Sequence, residues 1–318
     1  VGNNALKLNT ATGNTAIGKD ALCCNTSGTS NVAIGGSTLM RNATTTRNVA
    51  VGQSVLACNV GSCNTGLGHS ALTANSSGGL NVAIGACALD ANTTADNNTA
   101  VGTLSLTANT TGANNTAVGL CTLKTNTTGA SNSALGILAL ELNTEGDFNT
   151  AIGREALQSN TTADNNTAVG YKSLEANTTG TENTAVGSCA LTANITGFNN
   201  SAFGRCAMIA NTGGDKNTSI GMSTLRCNLT ANSNTAVGYT ALLKNVASNN
   251  TAVGEGALIC NTSGTNGVAV GCGALKANTT ASANVAVGKS ALTANTTGAN
   301  NVAVGNAMET NTTGANNV

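Results

Sequence analysis

The residues of this chain whose types could do chemistry are eleven cysteines, a single histidine, thirteen acids and a long series of Asn-x-Ser/Thr triplets. A zinc site needs four Cys or His ligands in paired spacing, and neither a C-x-x-C pair nor a companion for His69 is present. General-base catalysis needs a titratable group oriented by a second one. His69 stands alone at a variable position and reads as a solvent-exposed substitution. The acids Asp20, Asp96, Glu141, Glu145, Asp147, Asp164 and Glu182 are scattered, and Glu145/Asp147 reads as a solvated loop rather than a calcium site. The phosphate-cradling pattern G-x-x-x-x-G-K-[ST] is absent. No catalytic, metal-binding or cofactor-binding residue is expected, and the chain reads as a non-enzyme. Asn92, Asn109, Asn278 and Asn295 each open an Asn-x-Thr triplet. They are either glycan acceptors of a secreted protein or parts of a structural motif that happens to need Asn and Thr.

Composition narrows the classes further. Charged residues make up 8% of the 318 positions, against about 25% in an ordinary soluble domain. Aromatics are 2%, Pro and Trp are absent, and thirteen basic residues balance thirteen acidic ones. That balance excludes the electrostatic footprint of a nucleic-acid binder and of a polybasic membrane surface. No apolar stretch is long enough to span a bilayer, and no charged segment followed by an apolar core opens the chain.

What could position any of these residues is a repeat. Glycines recur at 2, 18, 35, 52, 68, 85, 102, 119, 136, 153, 170, 187, 204, 221, 238, 254, 271, 288 and 305, with fifteen intervals of 17 residues and three of 16. One unit reads N-T-A-V-G-x-x-A-L-x-A-N-T-T-G-A-N, as at Asn98 to Asn114. Residues 1–318 are expected to form a single continuous array without separate caps or linkers. The residue before the Gly is always apolar, and the fourth residue after it is Leu in 17 copies. Val101, Val118, Leu106 and Leu123 are therefore the expected core. N-T-A-V-G is short, β-branched and closed by Gly, which predicts a strand of about four residues. The fold expected is all-β: a parallel β-solenoid of about 19 coils, one 17-residue repeat per coil, each stabilised by its neighbours. With Val facing inward, the Ala between Thr and Val points out as a flat strip. G-x-x-A-L-x-A-N reads equally as a second short strand or as one helical turn, and T-T-G-A-N is a surface turn.

Two asparagine positions fit a stack. Asn98, Asn115, Asn166 and Asn183 open strands, and Asn92, Asn109, Asn160 and Asn177 lie seven residues past the Gly. Equivalent amides in successive coils can hydrogen-bond along the axis or hold the turn. The cysteines fall into the same frame. Cys189 and Cys206 occupy one place in adjacent coils and Cys260 and Cys272 lie on neighbouring ones. They are candidates for disulfides, or are small half-apolar residues kept as thiols.

The N-T-A-I-G-x-x-A-L-x-x-N-T-T-G unit resembles repeats in fibre proteins of phage tail-fibre type. More distantly, N-x-A-I-G resembles the head repeats of trimeric autotransporter adhesins, whose period is shorter. The resemblance covers the whole chain and implies an extended, self-associating fibre at an extracellular, virion or cell surface. The ends add that Asn317-Val318 nearly continues into Val1 in phase, as expected of a window from a longer array or of end-to-end stacking. The expected function is a structural fibre subunit whose partner is itself, as a homopolymer, homotrimer or lateral bundle. An adhesin shaft with a cell-surface or glycan target is the alternative. Ice binding by Thr rows (Thr93-Thr94, Thr110-Thr111, Thr279-Thr280) is a minor one.

Overall fold

The computed structural model describes residues 1–318, which divide into two compact units, 1–164 and 165–318. Each is a parallel β-solenoid. The first carries nine three-residue strands, from Thr15–Ile17 to Thr150–Ile152, and the second nine more, from Thr167–Val169 to Val302–Val304. Successive strands within a unit pair parallel and in register, Thr99 beside Thr116, Ala100 beside Ala117 and Val101 beside Val118. One repeat therefore closes one rung, and rungs follow at about 4.8 Å.

The strand faces the opposite way from the sequence expectation. Ala100 and Ala117 are wholly buried, whereas Val101 and Val118, expected in the core, lie on the outer surface beside Thr99 and Thr116. Alternation puts the first and third residues of a strand on one side and the middle residue on the other. The interior of so small a coil already holds Leu106 and Leu123, both fully buried, and two asparagines per rung. Only a methyl group fits opposite them.

The two exceptions to the Ala rule show how tight this interior is. A Cβ on Gly66 would lie 2.4 Å from Val55 Cγ1, and Val55 is a large residue where most other coils carry Ala. Ser219 is the other exception, and its hydroxyl meets that of Thr224, likewise at the usual Ala position.

The second half of the repeat is neither strand nor helix. The Ala291 N–H donates to Gly288 O at 3.3 Å and Thr293 N–H to Ser290 O at 3.1 Å, which makes two overlapping turns. Their third residues, Ser290 and Leu292, are left-handed with φ of 58° and 50°. This alternation of hand denies the segment both regular forms. It lets the Leu point inward and its N–H reach the next coil, as Leu106 N–H does to Thr122 O at 3.0 Å. The repeat glycine is required twice over. Gly119 has φ 139°, and a Cβ there would sit 2.6 Å from Gly136 O of the next rung.

Candidate functional site: amide ladders and an outward strand face

The asparagines expected to ladder do so at both positions, through different chemistry. In the turn, amide bonds to amide: Asn109 Nδ2 donates to Asn92 Oδ1 at 3.1 Å, and Asn160 Nδ2 to Asn143 Oδ1 at 2.8 Å. Each also closes its own turn, Asn92 Nδ2 on Ala95 O at 3.1 Å and Asn177 Nδ2 on Gly180 O at 2.9 Å. At the strand entrance the rungs run from backbone to side chain. Asn115 N–H donates to Asn98 Oδ1 at 2.9 Å, and Asn183 N–H to Asn166 Oδ1 at 3.0 Å. The Nδ2 groups of Asn98 and Asn115 then hold turn carbonyls of the following coil, Gly112 O at 2.9 Å and Gly129 O at 2.8 Å. Every one of these side chains is fully buried. An ionised Asp could not replace them, since the amide must donate and accept at once, and Ser carries one proton where a turn amide such as that of Asn109 donates two.

That burial corrects the glycan reading. Asn92, Asn109 and Asn295 have no exposed surface and Asn278 has 1%. Their amide nitrogens are engaged inside the stack, Asn278 Nδ2 on Asn261 Oδ1 at 2.9 Å and Asn295 Nδ2 on Asn278 Oδ1 at 3.1 Å. A folded coil leaves no room for a sugar on them. The first threonine of each turn pair is also committed. Thr93 Oγ1 donates to Thr110 O, and Thr110 Oγ1 to Thr127 O, both at 3.0 Å, while Thr279 Oγ1 reaches Thr296 O at 3.2 Å. Their hydroxyl protons belong to the stack and not to a surface array.

A third ladder went unread in the sequence. Asp96 Oδ1 accepts from Gly79 N–H at 2.6 Å, Asp147 Oδ1 from Ala130 N–H at 2.6 Å, and Asp164 Oδ1 from Asp147 N–H at 2.7 Å. The same turn position holds Asp215, whose Oδ1 accepts from Phe198 N–H at 3.0 Å, and Ser282, whose Oγ accepts from Thr265 N–H at 3.1 Å. The aspartates at this place thus tie one coil's turn to the next. Their signal was a recurrence of short acceptors eleven residues after the glycine, mixed with Ala and Thr.

The three 16-residue intervals lose their residue in the turn. Asn9, Asn59 and Asn245 close on the carbonyl two residues ahead, at 2.7, 2.7 and 2.6 Å, where the 17-residue coils close three ahead. The last of these interrupts the turn ladder and leaves the strand-entrance rung from Asn250 N–H to Asn234 Oδ1 in place at 3.0 Å; Asn228 Oδ1 and Asn234 Nδ2, one coil away, are buried without partners.

All eleven cysteines are free thiols, so none of Cys189, Cys206, Cys260 and Cys272 is paired. In-register neighbours such as Cys189 and Cys206 have parallel Cα–Cβ bonds about 4.8 Å apart, wider than the roughly 3.8 Å between Cβ atoms that a disulfide prefers. The closest thiols are Cys23 and Cys24, with Sγ atoms 3.6 Å apart. Partial burial, and then the hydrogen bond and charge of Cys24, push the Cys23 thiol up to about 11. His69 is exposed. No three His, Cys, Asp or Glu side chains converge as a metal site, and no helix is long and apolar enough to cross a membrane.

What remains on the outside is the strand face. Its first rank is Thr, Val or Ser, and its third is Val, Ile, Leu or Phe; no strand position is charged. Ile17, Leu135 and Ile220 are 48, 50 and 43% exposed. Fold and face together define a parallel β-solenoid with an uncharged outer sheet. Comparison with known proteins finds no matching family model and no matching relative.

Proposed function

We propose that the protein is a structural subunit of an extracellular fibre and works by associating with copies of itself. One observation carries this reading: the outer strand face repeats an uncharged, largely aliphatic surface at every rung. Monomeric soluble proteins rarely leave contiguous apolar patches of more than a few hundred Å² open to water. The likeness of the repeat to phage tail-fibre units supports the same reading. Particle size against protein concentration, by light scattering and negative-stain microscopy, tests it. Growth into elongated particles is the expected result, and a monomer at every concentration would refute the proposal.

The adhesin alternative has one observation in its favour. Phe148, Phe198, Phe203, Tyr171 and Tyr239 are all exposed, at 61, 38, 40, 44 and 51%. Tyr171 and Tyr239 share the place after the repeat glycine, but the phenylalanines occupy three other places in the register. They form no common stacking surface, and binding on a glycan array would be needed to revive this reading.

A further inference from the structure

We infer that the contact surface is the outward strand face, and that its occupant is the same face of a second copy of this chain. The inference rests on the fibre reading and assigns it a surface and a partner.

Periodicity selects the occupant. The ladders fix each rung, so side-chain ridges on the outer face recur at about one strand spacing, 4.8 Å. A surface with that repeat is filled over many rungs only by ridges of the same repeat. An irregular protein surface drifts out of step after one or two rungs. A second copy has the matching period by construction, as in the dry interdigitated zippers formed by identical strands.

Chemistry agrees. With no charge on any strand position, two such faces meet without stranding an ion. Val, Ile and Thr are stiff at χ1, so packing them costs little side-chain entropy. The most aliphatic part lies in the second unit, where Val268-Ala269-Val270, Val285-Ala286-Val287 and Val302-Ala303-Val304 are consecutive strands. Val270, Val287 and Val302 are 36, 37 and 37% exposed.

Area sets the strength. Three strand residues span about 10 Å and nine rungs about 43 Å, so the face of one unit offers roughly 430 Å². A stable interface needs about 800 Å² per partner. Pairing through the face of one unit is therefore weak and transient, and so concentration-dependent.

The test uses the full chain. Val270→Lys with Val287→Lys, and separately Ile34→Lys with Val118→Lys, place charge on the face of each unit. Leu120→Lys with Met222→Lys alters apolar residues of similar exposure, 46 and 42%, off the strand. Circular dichroism and the thermal midpoint check folding. Should the Lys variants unfold, Val268→Thr with Val285→Thr replaces them, Thr being native at the equivalent outward position of other strands. The expected result is at least a tenfold rise in the concentration needed for assembly in either Lys pair, a smaller rise for the Thr pair, and none for the off-strand pair. Assembly unchanged in the strand-face variants overturns the assigned surface and leaves the fibre reading standing. A wild-type chain that never assembles overturns both.

Discussion

Asn109 offers the sharpest test of the ladder. It is wholly buried. Its Nδ2 donates to Asn92 Oδ1 and Gly112 O, and its Oδ1 accepts from Asn126 Nδ2 at 2.8 Å. Asn109→Ala deletes all three bonds, each worth about 1 kcal/mol net, and leaves Asn92 Oδ1 buried without its donor, a cost of about 1–3 kcal/mol. Asn126 Nδ2 keeps Gly129 O at 2.9 Å, which limits the damage, and the loss should come to about 3–5 kcal/mol. Because coils are stabilised by neighbours, the effect should be local. Native-state hydrogen exchange of the 92–126 amides should accelerate roughly a hundredfold to several thousandfold, at about 1.4 kcal/mol per tenfold, with remote coils unchanged. Asn109→Asp adds a sign. An ionised carboxylate would face two acceptors, Asn92 Oδ1 and Gly112 O, so its folded-state pKa rises above the unfolded value of about 3.9. The folded state then holds the extra proton, and stability relative to wild type is greatest below about pH 3.9 and is lost as pH climbs through the raised value. A flat pH profile for Asn109→Asp, or a change within 0.5 kcal/mol for Asn109→Ala, the range of ordinary surface substitutions, would refute the ladder as a source of stability.

Three further substitutions probe the rest of the rung. Gly119→Ala forces a left-handed φ of 139° on a side chain and drives Cβ to 2.6 Å from Gly136 O; a loss of about 3 kcal/mol or more in denaturant titration is expected. Gly267 interrupts the strand-entrance ladder. Its N–H donates to Asn250 Oδ1 at 2.9 Å, but it has no side-chain oxygen to offer Asn284 N–H. Gly267→Asn should therefore raise stability by about 0.5–2 kcal/mol, through the new rung and a less flexible unfolded chain, and a lowered thermal midpoint would contradict this. For Ser219 and Thr224, whose hydroxyls meet in the core, each single Ala change should cost about 1 kcal/mol. The double variant, which recreates the Ala/Ala pair of Ala236 and Ala241, should cost less than their sum in a double-mutant cycle.

The period, the glycine, the buried Leu and both asparagine ladders were legible because each is a nearly invariant residue type at a fixed place in 19 copies. The direction of the strand was misjudged because apolarity was taken as the sign of burial. Exposed strand positions also favour β-branched residues, and much of any folded surface is apolar. The better signal is tolerance of size. The place before the glycine accepts Val, Ile, Leu and Phe203, and the place two before it accepts Thr, Val and Ser. A packed interior does not admit Phe where Val stood without a compensating change nearby. The middle place admits only Ala, Gly66 and Ser219, and both departures are answered by a neighbour. Val55 fills the volume that Gly66 leaves, and Thr224 supplies the hydroxyl that Ser219 needs. Paired exceptions of this kind report contact. By the same test the turns were harder to read. The third ladder takes its acceptor from Asp, Asn or Ser, so no one letter marks it. The left-handed Leu carries no composition signal at all, since its conformation is imposed by the neighbouring rungs whose hydrogen bonds it completes. The outward face passes the exposure test at every rung, with sizes varying freely while charge never enters. Solvent exposure alone does not forbid Lys or Glu on a strand, so their absence from all eighteen calls for a second constraint. The contact with a like surface proposed above would supply one.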